Sequence, residues 1–122
     1  MNYLFVFIGA GFGGGLRFFI SNLTVKYIPP TYFLLSTLIV NILGSILLGY
    51  LIFGLYEKNL ISDNLKLLIG VGFCGGLTTF STFSFESFVL LKDAQFLAAA
   101  LNIFLNVLFT LLGVYIAYTL SK

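Results

Sequence analysis

Residues 70–86, GVGFCGGLTTFSTFSFE, carry the side chains of this chain best suited to handling an ion. Phe80 and Phe83 stand three residues apart, with the hydroxyls of Ser81 and Thr82 between them. A phenyl ring has an electron-poor edge and an electron-rich face. Edges turned toward a small anion stabilise it without a full charge that would trap it, and weak multi-site binding is what a conducting pore requires. Faces turned inward would hold a cation instead. The sequence leaves that choice open.

Two further sets of polar residues recur at helical spacing. Thr37, Asn41, Ser45 and Gly49 fall at four-residue steps, as do Asn102, Asn106 and Thr110. Residues four apart share one face of a helix. Taken singly, each stripe reads as interhelical hydrogen-bond glue. Together with the Ser/Thr-rich stretch around Phe80, they read as a polar track across a bilayer. Glu86 and Arg17 are the only charges well inside the apolar blocks. Such charges are costly in hydrocarbon and mark a pathway or a pair. Glu86 could carry a proton, bind a cation or stand at a mouth, and its place little more than one turn from a helix end favours the mouth. Arg17 either lines a cationic vestibule that attracts anions or snorkels to the interface.

Other chemistries fail for want of residues. The chain has no His and a single Cys, Cys74, which reads as a small packing residue. A Cys/His metal site, a His-activated nucleophile and a P-loop are therefore absent, and no enzyme is expected. Gly9-Ala10-Gly11-Phe12-Gly13-Gly14 matches G-x-G-x-x-G, but the first acid after it is Glu57. A dinucleotide site needs an acid about 20 residues on. The glycines read instead as small-xxx-small pairs, Gly9/Gly13 and Gly11/Gly15, for close helix packing. No basic run points to nucleic acid.

These residues need elements to position them. Of 122 residues, 60% are hydrophobic and only 8% are charged. A soluble surface needs roughly a quarter or more charged residues, whereas a membrane span needs ~20 apolar ones. Four such blocks give helices over about 3–23, 32–56, 65–91 and 95–120, in one domain covering residues 1–122. The first block lacks a basic leader region and runs through Arg17, so it reads as a span rather than a secretion signal. Short linkers, the Pro29-Pro30 turn, the polar loop 57–64 and a tight turn at Lys92-Asp93, make neighbouring helices antiparallel. The third helix is expected to be interrupted at Gly75-Gly76-Leu77-Thr78-Thr79. Glycine loses most backbone entropy on ordering, and β-branched threonine loses rotamer freedom.

Charge gives the four spans no preferred orientation. Lys58, Lys66 and Lys122 fall on one side, and Arg17, Lys26 and Lys92 on the other. Three against three leaves the positive-inside rule nothing to act on. Two opposed copies could then pair about an axis in the membrane plane, like an inverted repeat made from separate chains.

Gly75-Gly76-Leu77-Thr78-Thr79-Phe80-Ser81-Thr82-Phe83-Ser84 resembles the signature of the Fluc (CrcB) fluoride channels. Val40-Asn41-x-x-Gly44 and the glycine-rich stretch ending at Arg17-Phe18 are similar to that family's other two motifs. The resemblance implies an all-α integral membrane protein that forms an antiparallel, dual-topology homodimer in the cell inner (plasma) membrane. It implies passive export of F⁻ through two pores per dimer, protecting the cell against fluoride toxicity. Phe80 and Phe83 would meet the ion with their ring edges, Asn41 would donate an amide, and Ser81 and Thr82 would supply hydroxyls. Thr37 and Thr110 would belong to the polar track, with Glu86 near the mouth. A structural Na⁺ on the dimer axis would rest on the carbonyls of Gly75 and Thr78 from both copies. The glycine-rich first motif departs from the family's more usual small residues, which bears on helix packing alone.

Two other classes compete. A small proton-coupled exporter of the four-helix dual-topology type would carry a mid-membrane carboxylate in its first helix, where this chain has glycines and Arg17. A non-conducting packing subunit would explain the glycines but not the hydroxyl–phenyl cluster. The charge balance makes its own prediction: a reporter fused to the C-terminus will be labelled from both sides of the membrane. Labelling from one side alone would contradict dual insertion.

Overall fold

The computed structural model describes residues 2–28 and 34–122. The Pro29-Pro30 turn and the expected helix start at Tyr32 lie outside the described residues. Helix α1 is Asn2–Tyr27, α2 is Leu35–Tyr56, α3 covers residues 63–77, α4 is Phe80–Lys92 and α5 is Phe96–Leu120. Helices α3 and α4 together make one span, so four stretches are long and apolar enough to cross a membrane. Among the described residues there is no strand. Helix α1 runs four residues past the expected end at Leu23, and α5 begins one residue after Gln95.

Helix ends follow local chemistry. Ser62 accepts the Leu65 amide at 3.2 Å and starts α3 two residues earlier than expected. Between α4 and α5, Ala94 takes a left-handed φ of 59°, which lets the chain reverse within a few residues. Asn59, in the polar loop, does the same with φ 61°. Two stretches widen into π turns, Tyr50–Tyr56 and Lys66–Cys74. Such widenings shift the face that the next turn presents and recur near functional sites. The second leads directly into the Gly75–Leu77 turn before the break.

Packing pairs α1 with α3, α2 with α5, and α4 with α5. The α1–α3 contact is close because glycines meet backbone. A Cβ at Gly9 would run into the Leu68 carbonyl, and one at Gly13 into that of Phe73. One at Gly72 would lie 2.8 Å from the Val6 carbonyl, and Gly76 faces the backbone of Ala10. The Gly9/Gly13 pair therefore packs as expected, whereas Gly11 and Gly15 face open space. Gly75 and Gly76 are helical, and the interruption is confined to Thr78 and Thr79. Gly76 is there for close approach to α1 rather than to end the helix.

Overpacking a tight contact costs typically ~1–3 kcal/mol. Gly13→Ala will lower the thermal midpoint in detergent by the equivalent of about that amount, and Gly11→Ala, facing open space, will leave it near the parent's. Equal midpoints for the two variants would contradict this packing.

Candidate functional site

The third span opens where two extended residues stand inside an apolar helix. Thr78 has φ −83°, ψ 158° and Thr79 φ −150°, ψ 118°. Thr78 closes α3 by donating both its N–H, at 3.0 Å, and its hydroxyl, at 2.9 Å, to the Cys74 carbonyl. Thr79 caps α4: its hydroxyl oxygen accepts the Thr82 amide at 3.1 Å. In lipid the backbone groups freed here need protein partners. Asn41 supplies them from α2. Its Oδ1 accepts the Thr79 N–H at 2.8 Å, and its Nδ2 donates to the Thr79 carbonyl at 3.3 Å. Arg17 supplies another from α1, its Nε donating to the Gly76 carbonyl at 3.0 Å.

Behind Asn41 runs a file of amides. Asn41 Nδ2 also donates to Asn106 Oδ1 at 3.0 Å. Asn106 Nδ2 donates to the carbonyl and to the Oδ1 of Asn102, at 2.9 and 3.1 Å. Asn102 Nδ2 donates to Ser87 Oγ at 3.0 Å, and the Ser87 hydroxyl to the Phe83 carbonyl at 2.9 Å. Asn41, Ser87, Asn102 and Asn106 are all buried. Each pairs with another, which is the condition for placing polar groups in a low-dielectric interior.

Two cavities flank the break. The larger, about 640 Å³, is lined by Asn41, Gly75, Thr78, Phe80, Phe83 and Asn106, with Thr110 and Ser45 among the rest. The smaller, about 220 Å³, is lined by Arg17, Ser21, Ser36, Thr37 and Thr82, with Phe18 and Val40. Thr79 belongs to both walls and so separates them. Phe80 and Phe83 touch, with ring centroids 5.4 Å apart and planes inclined by 58°. Phe83 is 8% exposed and Phe80 78%, so one ring is seated in the chain and the other stands at its edge.

Glu86 lies inside the fold rather than at its surface. It is 8% exposed, and its Oε2 accepts the Thr37 hydroxyl at 2.8 Å. Its Oε1 is buried without a hydrogen-bond partner among the described residues. A buried carboxylate oxygen left unpaired costs at least ~1–3 kcal/mol.

The structure thus brings together most of the residues singled out in the sequence. Asn41, Phe80, Phe83, Gly75, Thr78 and Thr110 share the larger cavity, and Arg17, Thr37 and Thr82 the smaller. Ser81 is exposed and lies 3.3 Å, oxygen to oxygen, from the Thr79 hydroxyl. Arg17 is half-buried on a carbonyl, so it is tied to the break as well as facing a cavity. Thr79 and Ser87 are the members that sequence reasoning passed over. Thr79 could have been found as a threonine, a residue type favoured at N-caps, standing last in the expected interruption. Among the described residues no cluster of three His, Cys, Asp or Glu side chains forms. The carbonyls of Gly75 and Thr78 take no hydrogen bond from the described residues, whereas that of Gly76 takes Arg17.

Residues 4–118 match the family model described as "CrcB-like protein, Camphor Resistance (CrcB)". A relative from Pyrococcus furiosus, named fluoride-specific ion channel FluC, is 45% identical over 120 residues, 96% of this chain and 93% of its own. One of the same name from Pseudoalteromonas translucida is 51% identical over 102 residues, 83% of each chain. Another, from Methanocaldococcus jannaschii, is 43% identical over 120 residues, 97% of this chain and 92% of its own. A four-span helical chain that matches the family model across nearly its whole length is a multi-pass membrane protein and belongs to the CrcB family.

Proposed function

We propose that this chain is a fluoride-selective channel through which F⁻ leaves the cell passively, and that it works as an antiparallel homodimer with two pores. The observation that carries this reading is the broken helix itself. It sets the N-terminus of α4, the Phe80–Phe83 pair and the Asn41 amide on one cavity inside an apolar span, a mostly apolar space into which a few polar groups project. A helix N-terminus presents amide hydrogens and partial positive charge, which favours an anion. Ring edges add positive potential without a formal charge. Asn41 is the amide at this wall. Both its N–H groups are already bonded, to the Thr79 carbonyl and to Asn106, so it serves the ion by holding the wall along which the anion passes.

Fluoride is small and holds its water tightly, so a pore that passes it must replace that water at close range. Chloride, being larger, fits such a narrow set of donors poorly. The pathway enters by the smaller cavity, where Arg17 raises the local anion concentration, and passes Thr79 and Thr82 toward the two phenylalanines. Thr37 lines the entry with Glu86 bonded behind it, and Thr110 adds a hydroxyl to the larger cavity. A negative-inside potential drives an anion outward by ~2.3 kcal/mol per charge per 100 mV, so no ATP or coupled ion is required. The cell's cytoplasmic membrane is the setting in which such export protects.

The larger cavity is open-sided, with exposed Val71, Phe80 and Leu111 along it. A second, oppositely inserted copy covers that side and completes each pore. The Gly75 and Thr78 carbonyls of both copies would hold a structural Na⁺ at that interface. Hard cations take oxygen ligands, and these two carbonyls have no other partner among the described residues.

Fluoride efflux from liposomes carrying the purified protein, followed with a fluoride electrode and a valinomycin-mediated potassium shunt, tests the function. Rapid release that requires the shunt, with chloride retained, is expected. Phe80→Ile and Phe83→Ile are each expected to slow it by about tenfold or more, a loss of about 1.4 kcal/mol or more at the barrier. Fluoride retained by folded protein would overturn the reading.

A further inference from the structure

The amide file behind Asn41 has a direction, and that direction is imposed from one end. The Thr79 peptide offers Asn41 one donor and one acceptor, an N–H at 2.8 Å from Oδ1 and a carbonyl at 3.3 Å from Nδ2. This pairing admits a single orientation of the Asn41 amide, because the flipped one would set N–H against N–H and oxygen against oxygen. The second Asn41 N–H then points at Asn106, which must answer with oxygen. Asn106 Nδ2 is thereby turned to the two Asn102 oxygens, and Asn102 Nδ2 to Ser87. The Ser87 hydroxyl ends the file on the Phe83 carbonyl. The file leaves from Thr79, at the break, and returns to Phe83, in the first turns of the helix that follows it.

We infer that Asn106, backed by Asn102, is a positioning residue for conduction. It holds the Asn41 amide in the one orientation that ties the Thr79 peptide, and it thereby fixes the turn on which Phe80 and Phe83 are carried. Asn106 reaches no backbone group of the break directly; it acts through Asn41 and through Asn102 and Ser87. A hydrocarbon core offers no water to take over a lost partner, so the file works as a unit. This inference rests on the fluoride-channel reading.

Isosteric replacements separate hydrogen bonding from size. Asn106→Leu keeps the branched heavy-atom shape and removes every side-chain hydrogen bond. Asn106→Asp keeps the size and an acceptor for Asn41 but sets a second oxygen against the two Asn102 oxygens. In the liposome assay both are expected to slow fluoride release by about tenfold or more. Asn102→Leu combined with Asn106→Leu is expected to be no slower than Asn106→Leu alone, because residues acting through one file are not additive. In ¹⁵N spectra of the parent, the side-chain amides of Asn41, Asn102 and Asn106 are expected to exchange with D₂O far more slowly than those of exposed Asn22 and Asn59. In Asn106→Leu the Asn41 amide is expected to gain one fast-exchanging proton, a change that loss of packing volume would not produce. If the parent conducts and Asn106→Leu conducts equally, the inference is overturned. Fast exchange at Asn106 in the parent overturns it too, even where the variants fail to fold. A parent that does not conduct fluoride defeats the function itself.

Discussion

Everything in this fold depends on keeping one peptide group satisfied where there is no water. Opening a membrane helix at Thr78–Thr79 frees backbone N–H and C=O groups inside hydrocarbon, where each unpaired group costs several kcal/mol. The Asn41 side chain meets both groups of Thr79 at once, much as a neighbouring strand would. Arg17 covers the Gly76 carbonyl from the other side. The result is a stretch of irregular backbone that is stable at membrane depth, and with it a helix N-terminus facing a cavity. Without that pairing, the span would do better to close into a continuous helix.

The remaining residues divide between bringing helices close and filling the resulting contacts with polar partners. Gly9, Gly13, Gly72 and Gly76 let α1 lie against the backbone of α3, which brings the Arg17 side chain within reach of the break. From α5, Asn102 and Asn106 supply the amides that meet Asn41 and Ser87. Interhelical hydrogen bonds in membranes contribute only ~0.6 kcal/mol each on average. Their number here matters less for stability than for geometry, since each fixes the orientation of the next. Phe83 is seated on this framework and Phe80 leans on it from the edge, which sets one ring firmly and leaves the other for a neighbouring surface to complete.

Much of this was legible in the sequence because a membrane restricts the choices. Length and hydropathy placed all four spans, and the four-residue stripes identified the faces of α2 and α5 that carry the polar contacts. What periodicity lacks is partners. That Asn41 meets Asn106, or Glu86 meets Thr37, depends on helix pairing and register, which a face alone does not specify. The break was expected across Gly75–Thr79 because glycine is a poor helix former. The glycines are helical, and the threonines alone break the span, since Gly76 is needed small against Ala10 and Thr79 is needed as a cap. Arg17 was read as a vestibule or a snorkelling residue because its acceptor, the Gly76 carbonyl, exists only once the helix has ended. Propensity describes an isolated segment, and here the neighbouring helix decided.

The account turns on the Asn41–Thr79 pairing as the device that holds the conducting shape, and Asn41→Leu addresses it most directly. Leucine has the same branched heavy-atom skeleton as asparagine and offers Thr79 neither donor nor acceptor. The measurement is shunt-dependent fluoride efflux from liposomes, made on variant protein shown to be folded and to have the same oligomeric size as the parent. The account predicts that efflux falls by at least about tenfold. Parental rates and parental chloride exclusion in that variant would show that the break holds without Asn41, and would contradict it.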